Sequence, residues 1–404
     1  MKTVSGGVCA AKGFQAAGIH CGIRKNRSKK DLALIVSQVQ ANAAAVYTAN
    51  LVKGAPLTVT KKHLGNGKAQ AMICNSGNAN TCNANGIQIA EEMSALTAEA
   101  LGIEAEDVIV ASTGVIGQPL SIEPIAEKLG TLAAALADTG SGDACEAIMT
   151  TDTKPKEIAV EFTVGGKTCR LGGIAKGSGM IHPNMATMLV FLTTDAAISS
   201  EMLSKALKGD VQSTFNMISI DGDTSTNDMV SIMANGLAGN PEICSEGADF
   251  DAFMKALNTV NVFLCRSIAA DGEGATKLLE CSVTGALDEE NAKKIAKSVV
   301  CSSLTKAAMF GADANWGRVL CAIGYSGAKV DVDKVGVSFR SQAGTVAVCE
   351  NGAGLDFSEE LAKKILLENE IEILISLGDG AACAMAWGCD LTYDYVKING
   401  DYRT

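Results

Sequence analysis

The sequence lacks the cysteine and histidine spacings that mark metal sites and disulfide frameworks. None of its 14 cysteines forms a C-x-x-C pair, and none of its three histidines has a His or Cys four residues away. Most cysteines, among them Cys74, Cys265 and Cys321, lie in apolar segments, where free thiols are expected to pack as small hydrophobic groups. Free thiols are typical of a reducing compartment, so we expect a cytoplasmic protein without a metal.

Long hydrophobic runs and an excess of positive charge are also missing. No apolar run approaches the roughly 20 residues of a membrane span, and the first residues contain no apolar segment typical of a signal peptide. The net charge of −11 argues against a nucleic-acid partner, because phosphate contacts need clustered Lys and Arg. We therefore expect a soluble protein that binds neither membranes nor nucleic acid.

One basic segment stands out against this acidic background. Residues 24–30 read R-K-N-R-S-K-K and precede a strand-like stretch. A solvated loop is the favoured interpretation, and a local anion site is the alternative.

The composition indicates a large α/β enzyme. The chain has 404 residues, of which 47% are hydrophobic and only 4% aromatic, and it contains 42 glycines. Abundant small residues allow elements to pack closely. Strand-like and helix-like segments alternate, but several strands follow one another through short turns, such as the Gly165-Gly166 turn. We predict a mixed α/β fold of layered sheets with outer helices.

The individual segments follow from their periodicity. Strands are predicted at residues 31–39, 69–75, 107–112, 157–164, 187–194, 277–283, 334–340, 345–349 and 370–377. Helices are predicted at residues 86–101, 122–137, 199–215, 250–269, 288–302 and 358–368.

Several loops between these segments are rich in Gly, Asn, Thr and Asp. They cover residues 75–80, 112–117, 150–153, 176–179, 221–228, 271–276 and 311–317. None matches a P-loop or a dinucleotide-binding fingerprint, so nucleotide binding is weakly supported. The loop at 221–228 is conspicuous, but its sequence suggests no role beyond making a turn.

Nucleophilic catalysis is better supported than nucleotide chemistry. With three histidines and no G-x-S-x-G motif, a Ser-His-Asp hydrolase is disfavoured. A threonine nucleophile can use the α-amine of its own residue as base, provided the chain is cut immediately before it. Thr187 lies in the apolar run M-A-T-M-L-V-F, where a β-branched core residue is the simpler interpretation. Chemistry alone does not single out Thr187.

Sequence motifs, in contrast, do single out Thr187. The chain resembles the self-cleaving ornithine acetyltransferases, which are the glutamate N-acetyltransferases of arginine biosynthesis. The resemblance covers almost the whole chain and rests on blocks that occur in order: K-D-L-A-L-I from residue 30, N-S-G-N-A-N from 75, S-T-G-V-I-G from 112, M-T-T-D-T from 149, K-G-S-G-M-I-H-P-N-M-A-T-M-L from 176, D-G-D-T-S-T-N-D from 221, G-E-G-A-T-K from 272, A-D-A-N-W-G-R from 312 and the ending Y-V-K-I-N-G-D-Y-R-T.

The resemblance implies self-cleavage between Ala186 and Thr187. The products are an α chain, residues 1–186, and a β chain, residues 187–404, that begins with the nucleophile. Thr187 is then expected to accept an acetyl group from N-acetylornithine and pass it to glutamate by a ping-pong mechanism. The family pattern assigns the oxyanion hole to the Thr113 hydroxyl and the Gly114 backbone N–H.

The resemblance also implies a substrate site and an assembly. The substrate-binding positions carried over by the motifs are Thr150, Lys176, Thr187, Glu273, Asn399 and Thr404. We expect Lys176 near the substrate α-carboxylate and Glu273 near the ornithine δ-ammonium. No cofactor is implied, the use of acetyl-CoA as a second donor stays open, and the expected assembly is a heterotetramer of two α and two β chains.

Two other functions remain open from sequence. One is an N-terminal-threonine amidohydrolase or aminopeptidase on a related fold, in which water rather than glutamate resolves the acyl-enzyme. The other is a metabolite-binding protein in which Thr187 is buried and uncut.

Overall fold

The computed structural model of the protein describes residues 1–182 and 188–400. Its α-helices are α1 (Ala55–His63), α2 (Gly86–Leu101), α3 (Glu123–Ala134), α4 (Ser141–Ile148), α5 (Ser200–Asp210), α6 (Ala248–Ala270), α7 (Glu289–Cys301), α8 (Ser303–Phe310), α9 (Trp316–Gly324), α10 (Glu359–Leu366) and α11 (Tyr393–Gly400). Its strands are β1 (Lys2–Val4), β2 (Phe14–Ile19), β3 (Leu32–Tyr47), β4 (Lys68–Asn78), β5 (Val108–Val115), β6 (Lys156–Val164), β7 (Lys167–Lys176), β8 (Leu189–Thr194), β9 (Ile218–Ser219), β10 (Met229–Ala234), β11 (Leu278–Ala286), β12 (Gly336–Ser341), β13 (Gly344–Glu350), β14 (Ala353–Gly354), β15 (Glu370–Ser376) and β16 (Ala382–Cys389).

The strands form two mixed sheets, which confirms the predicted fold class. In the described part of the chain, the first sheet has the order β1-β6-β7-β8-β10-β3-β4-β5, and β2 pairs with β3. The pairs β8–β10 and β4–β5 are parallel, whereas β7–β8 and β10–β3 are antiparallel. The second sheet has the order β14-β13-β12-β15-β11-β16-β9.

Helix α6 shows how the two sheets are joined. Its buried residues recur at helical spacing, for example Phe253, Leu257, Val260 and Leu264. The helix contacts β6 and β7 of the first sheet as well as β11 and β16 of the second. One hydrophobic core therefore runs from the first sheet through α6 into the second, so this helix lies between the sheets rather than on the outside.

Local sequence signals place several element ends as predicted. Helix α2 spans the predicted residues and ends at Gly102, whose φ of +68° suits a glycine cap. Helix α7 begins after Asp288, whose carboxylate accepts the Asn291 backbone N–H at 2.8 Å. Gly165 and Gly166 have φ of +54° and +74° in the turn between β6 and β7, as a type I′ hairpin requires.

Other sequence expectations need correction. Two predicted polar loops begin as strand, because β4 continues to Asn78 and β5 to Val115. The list of predicted segments also lacks α1, α4, α8, α9, α11, β1, β2, β7, β9, β10, β14 and β16, which are short or lack a clean period. Cys321 does not pack as a core thiol, since it is exposed on α9, whereas Cys74 and Cys265 are buried.

No helix in the described residues is long and apolar enough to cross a membrane.

Candidate active site

The carboxyl ends of the parallel strands β4 and β5 form one wall of the site. Ser76 pairs with Thr113 and Gly77 pairs with Gly114, and both Gly77 and Gly114 have positive φ. A Cβ atom at Gly114 would lie 2.3 Å from the Gly77 carbonyl carbon and 2.5 Å from the Asn78 nitrogen. Only glycine lets the two strand ends approach so closely, and the Gly114 backbone is therefore fixed against β4. Thr113, the other predicted oxyanion residue, is almost fully buried beside it.

Asn227 holds this wall in place from another part of the chain. Its amide nitrogen donates to the Ser112 carbonyl at 3.0 Å and to the Ala79 carbonyl at 2.6 Å. Its amide oxygen accepts hydrogen bonds from the Thr81 and Thr226 hydroxyls at 2.5 and 2.6 Å. The sequence analysis gave the loop at 221–228 no role, and the only signal it carried was its density of polar residues. Its Asn227 supports the strand end that carries Thr113.

The loop at 150–153 forms a second wall against the end of β7. The Asp152 carboxylate accepts the backbone N–H groups of Thr150 and Gly177 at 3.0 and 2.7 Å and binds the Lys156 ammonium at 2.7 Å. Burial opposes ionisation of Asp152, but the charges of Lys176 and Lys156 and these hydrogen bonds outweigh it and lower its pKa to about 2. Asp152 is thus a stable anion that ties Thr150 to the segment after Lys176.

Lys176 is a buried cation at the carboxyl end of β7. It pairs with Leu189 of β8 and is 8% exposed. Its charge also acts on Asp228, which is buried immediately before β10. Burial raises the pKa of Asp228 well above its usual range, and the neighbouring Lys176 only partly offsets that effect. Among the described residues, one oxygen of the Asp228 carboxylate has no hydrogen-bond partner.

Glu273 contacts the segment that follows Lys176. Its backbone N–H donates to the Ser178 carbonyl at 2.8 Å, and its carboxylate accepts the Asn399 side-chain amide at 2.8 Å. The Ser178 hydroxyl in turn shares a 2.6 Å hydrogen bond with the Thr151 hydroxyl. Ser178 therefore connects the wall formed by residues 150–153 to Glu273 and Asn399.

A cavity of about 650 Å³ opens beside these walls. Gly114 and Thr150 line it together with Gly77, Asn78 and Thr151. Three residues of the basic segment also line it: Arg24, Lys25 and Lys29. Within the described residues, no Asp or Glu lines this cavity, so its mouth is cationic.

The surroundings of His182 disfavour its charged form. Burial, with help from the nearby Lys297 ammonium, lowers its pKa to about 4, so it is neutral at pH 7. Its ring nitrogen Nδ1 lies 3.1 Å from the Ser219 hydroxyl and 3.5 Å from the Cys301 sulfur. No group of three or more His, Cys, Asp or Glu that could hold a metal ion occurs in residues 1–182 and 188–400.

The structure thus brings most of the predicted site residues into one region. Gly114 and Thr150 line the cavity, whereas Thr113, Lys176, Glu273 and Asn399 do not line it and are connected to its walls by the contacts above. Ala186, Thr187 and Thr404 lie outside the described residues.

Comparison with known proteins identifies the family. A family model described as the ArgJ family matches residues 15–404. The chain belongs to the ArgJ family. The "Arginine biosynthesis bifunctional protein ArgJ" of Caldanaerobacter subterraneus subsp. tengcongensis is 53% identical over 405 residues and covers 100% of both chains. The protein of the same name from Bacillus subtilis is 49% identical, covering 99% of this chain and 97% of its own.

A solved structure agrees with this assignment. The crystal structure of "Arginine biosynthesis bifunctional protein argJ" from Bacillus halodurans is 46% identical with a TM-score of 0.50. It covers 53% of this chain and 98% of its own chain. The resemblance drawn from the motifs is confirmed: this ArgJ-family chain is an acyltransferase of arginine biosynthesis, and the family membership favours this function over the amidohydrolase alternative.

Proposed function

We propose that the chain cuts itself between Ala186 and Thr187 and then transfers acetyl from N-acetylornithine to glutamate through the Thr187 hydroxyl. The observation that carries this proposal is the position of residues 227–229. Asn227 donates to Ser112, next to Thr113, and the Met229 backbone N–H donates to the Met188 carbonyl at 2.8 Å. The residue that follows Thr187 in the chain is thus tied to the strand end that carries the oxyanion residues.

Self-cleavage needs only groups of the chain and one water. The Thr187 hydroxyl attacks the Ala186 carbonyl and loses its proton, and the departing amide nitrogen takes up a proton to become the Thr187 α-amine. Water then opens the resulting ester, giving a carboxylate at Ala186 and regenerating the hydroxyl. The share of this chain covered by the Bacillus halodurans structure, 53%, is close to the fraction expected for one product, residues 187–404.

Acetyl transfer uses the same hydroxyl twice. The free α-amine has an ordinary pKa near 8, so a useful fraction can accept the hydroxyl proton at pH 7. Thr187 takes the acetyl group from N-acetylornithine, ornithine leaves with a proton on its amine, and the amine of glutamate then attacks the acetyl-enzyme. In both steps the Thr113 hydroxyl and the Gly114 N–H are proposed to stabilise the oxyanion.

We propose that Lys176 and Glu273 supply charges opposite to those of the amino-acid substrate. We propose that Lys176 binds the substrate α-carboxylate, because it is a buried cation whose side chain makes no hydrogen bond among the described residues. Glu273 is proposed to bind the ornithine δ-ammonium, with Asn399 orienting its carboxylate. Thr150 and Thr404 complete the proposed substrate set by the family pattern.

The test is denaturing mass analysis of the wild type and of Thr187→Ala. The wild type is expected to give two chains with the masses of residues 1–186 and 187–404, and it should release more than one equivalent of ornithine per enzyme from N-acetylornithine only when glutamate is present. Thr187→Ala should give one uncut chain without transfer. An uncut wild type, or repeated turnover of N-acetylornithine without glutamate, would contradict the proposal.

We also propose acetyl-CoA as a second acetyl donor, because the cavity that contains Gly114 has a cationic mouth. Lys25 and Lys29 are exposed at that mouth, where they can attract the phosphates of coenzyme A. A double Lys25→Ala/Lys29→Ala variant should raise the KM for acetyl-CoA and leave that for N-acetylornithine unchanged. Lys208→Ala/Lys255→Ala removes two exposed lysines elsewhere and is the matched control. No transfer from acetyl-CoA by the wild type would contradict this proposal.

We further propose a cytoplasmic heterotetramer of two α and two β chains. The 14 free cysteines, four of them exposed, support a reducing compartment. The assembly follows from the family pattern, and native mass measurement of the cut protein tests it directly.

A further inference from the structure

The chain just before the proposed cut is held by the loop at 220–224. The Asp221 carboxylate accepts the backbone N–H groups of Met180 and Ile181 at 2.6 and 2.9 Å. The Thr224 hydroxyl donates to the His182 carbonyl at 2.7 Å, and the Ile220 N–H donates to the Ile181 carbonyl at 2.7 Å. Three consecutive residues before Pro183 are therefore fixed by one short stretch of chain.

A residue shortly after this stretch also holds the chain after the cut. The Met229 N–H donates to the Met188 carbonyl, and Met229 begins β10, which runs parallel to β8. Residues 220–229 therefore bind the chain on both sides of the segment 183–187. Only five residues connect the two fixed points.

Such anchoring matters for a reaction between neighbouring groups of one chain. Attack of the Thr187 hydroxyl on the Ala186 carbonyl needs the two held at a near-attack distance, and fixing both ends of a short segment restricts its alternatives. Asp221 is central to the first anchor, because a carboxylate that accepts two backbone N–H groups makes strong, charge-assisted hydrogen bonds. Met180, which it holds, has a φ of +56°, a conformation that L-residues rarely adopt without such support.

We propose that Asp221 is a positioning residue for self-cleavage, holding Met180 and Ile181 so that the bond after Ala186 is presented to Thr187. This inference rests on the proposed self-cleavage. It gives the loop at 221–228 a role in maturation that is distinct from acetyl transfer, because Met180 and Ile181, which Asp221 holds, belong to the α chain, whereas the mature nucleophile begins the β chain. Asp223 of the same loop is exposed, and among the described residues its side chain makes no hydrogen bond.

The experiment follows cutting over time after synthesis of the full chain, by denaturing gel and mass analysis. Asp221→Ala is expected to slow cutting at least roughly tenfold, because the charge-assisted hydrogen bonds from Met180 and Ile181 are lost together with the one from the Asp223 backbone N–H. Asp221→Asn keeps the size and one acceptor oxygen, so it should fall between Asp221→Ala and the wild type. Asp223→Asn makes the same change of charge in the same loop and should cut at the wild-type rate.

A second measurement separates positioning from general destabilisation. After prolonged incubation, the cut fraction of Asp221→Asn should transfer acetyl with a kcat within about twofold of the wild type, because Thr187 is then free. Wild-type cutting rates in both Asp221 variants would overturn the inference. Equal losses in cutting and in kcat per cut chain would overturn it too, because they indicate a merely structural role. If instead the wild type and Asp223→Asn stay uncut, the proposed self-cleavage itself fails.

Discussion

At the scale of single residues, the candidate active site depends on glycine at position 114, which has no side chain. Gly114 combines a φ of +133° with backbone atoms of Gly77 and Asn78 inside the space of a Cβ. Three residues along the same chain, Gly117 also has a positive φ, but nothing lies within 4 Å of its Cβ position. Substitutions at these two glycines therefore distinguish the effect of a close backbone contact from the effect of a positive φ.

This difference gives the first prediction. Gly114→Ala should lower acetyl transfer by at least roughly 100-fold, the loss typical of a displaced oxyanion donor, because the methyl group forces β5 away from β4. Gly117→Ala should cost about 1–2 kcal/mol of stability, because an L-residue is strained at positive φ, and it should leave transfer near the wild-type rate. Both are measured as ornithine release and as the fraction of cut chain. Full transfer by Gly114→Ala would show that the Gly114 backbone is not part of the site.

At the scale of elements, Asp152 and Lys156 join three pieces of the fold. Asp152 binds the backbone after β7 through Gly177, and Lys156 at the start of β6 binds both Asp152 and Asp271 at 2.7 and 2.6 Å. Asp271 follows directly after α6. All three side chains are buried, so the loop that carries Thr150 is fixed by charges sheltered from water.

The second prediction is the pH dependence of this junction. The folded-state pKa of Asp152 is about 2, lowered from 3.8, so its contribution to stability is present above pH 3.8 and is lost as the pH falls through 2. That shift corresponds to roughly 2 kcal/mol at pH 7. Asp152→Asn should therefore lower the free energy of unfolding at pH 7 and approach the wild type as the pH falls from 4 towards 2, measured by urea unfolding at each pH. A difference that stays constant over that range would contradict this assignment.

The sequence signals of individual elements explain which predictions were confirmed and which elements were missed. Helix α2 and the hairpin turn at Gly165 and Gly166 were predictable because their signals are local: periodicity, a glycine cap and two residues with positive φ. Strand β10 was missed because six buried residues without alternation, Met229–Ala234, do not distinguish a strand from a core helix segment.

At the scale of the whole molecule, the two proposed chains are interleaved in one sheet. Strands β8 and β10 follow residue 187, yet they lie between β7 and β3, which precede it. Strand β8 makes six residue pairs with β7, and β10 makes six with β3, so both pair with strands that precede the proposed cut. The hydrophobic core that includes Val160, Leu192 and Leu264 is shared as well. A cut between Ala186 and Thr187 therefore leaves both chains sharing one sheet and one core.

The third prediction follows from that shared sheet. The cut protein should unfold in one transition in which both chains separate, and its midpoint should rise with protein concentration, because association of two chains is concentration-dependent. The midpoint of the uncut Thr187→Ala protein should depend less steeply on concentration, because two chains rather than four separate from the proposed assembly. Native and denaturing size measurements across a range of dilutions check both. Chains that separate without denaturant would contradict the argument.

The sequence by itself determined the local elements and the chemistry of the motifs. The polar loops, the two glycines of the β6–β7 turn and the ordered blocks that mark the ArgJ family can all be read from adjacent residues, whereas the continuation of β4 and β5 into those loops cannot. Only the tertiary structure decided that Asn227 supports Ser112, that Lys25 and Lys29 stand at the cavity with Gly114, and that α6 lies between two sheets. These contacts join residues that are far apart in the chain, and no local period or propensity encodes such pairings.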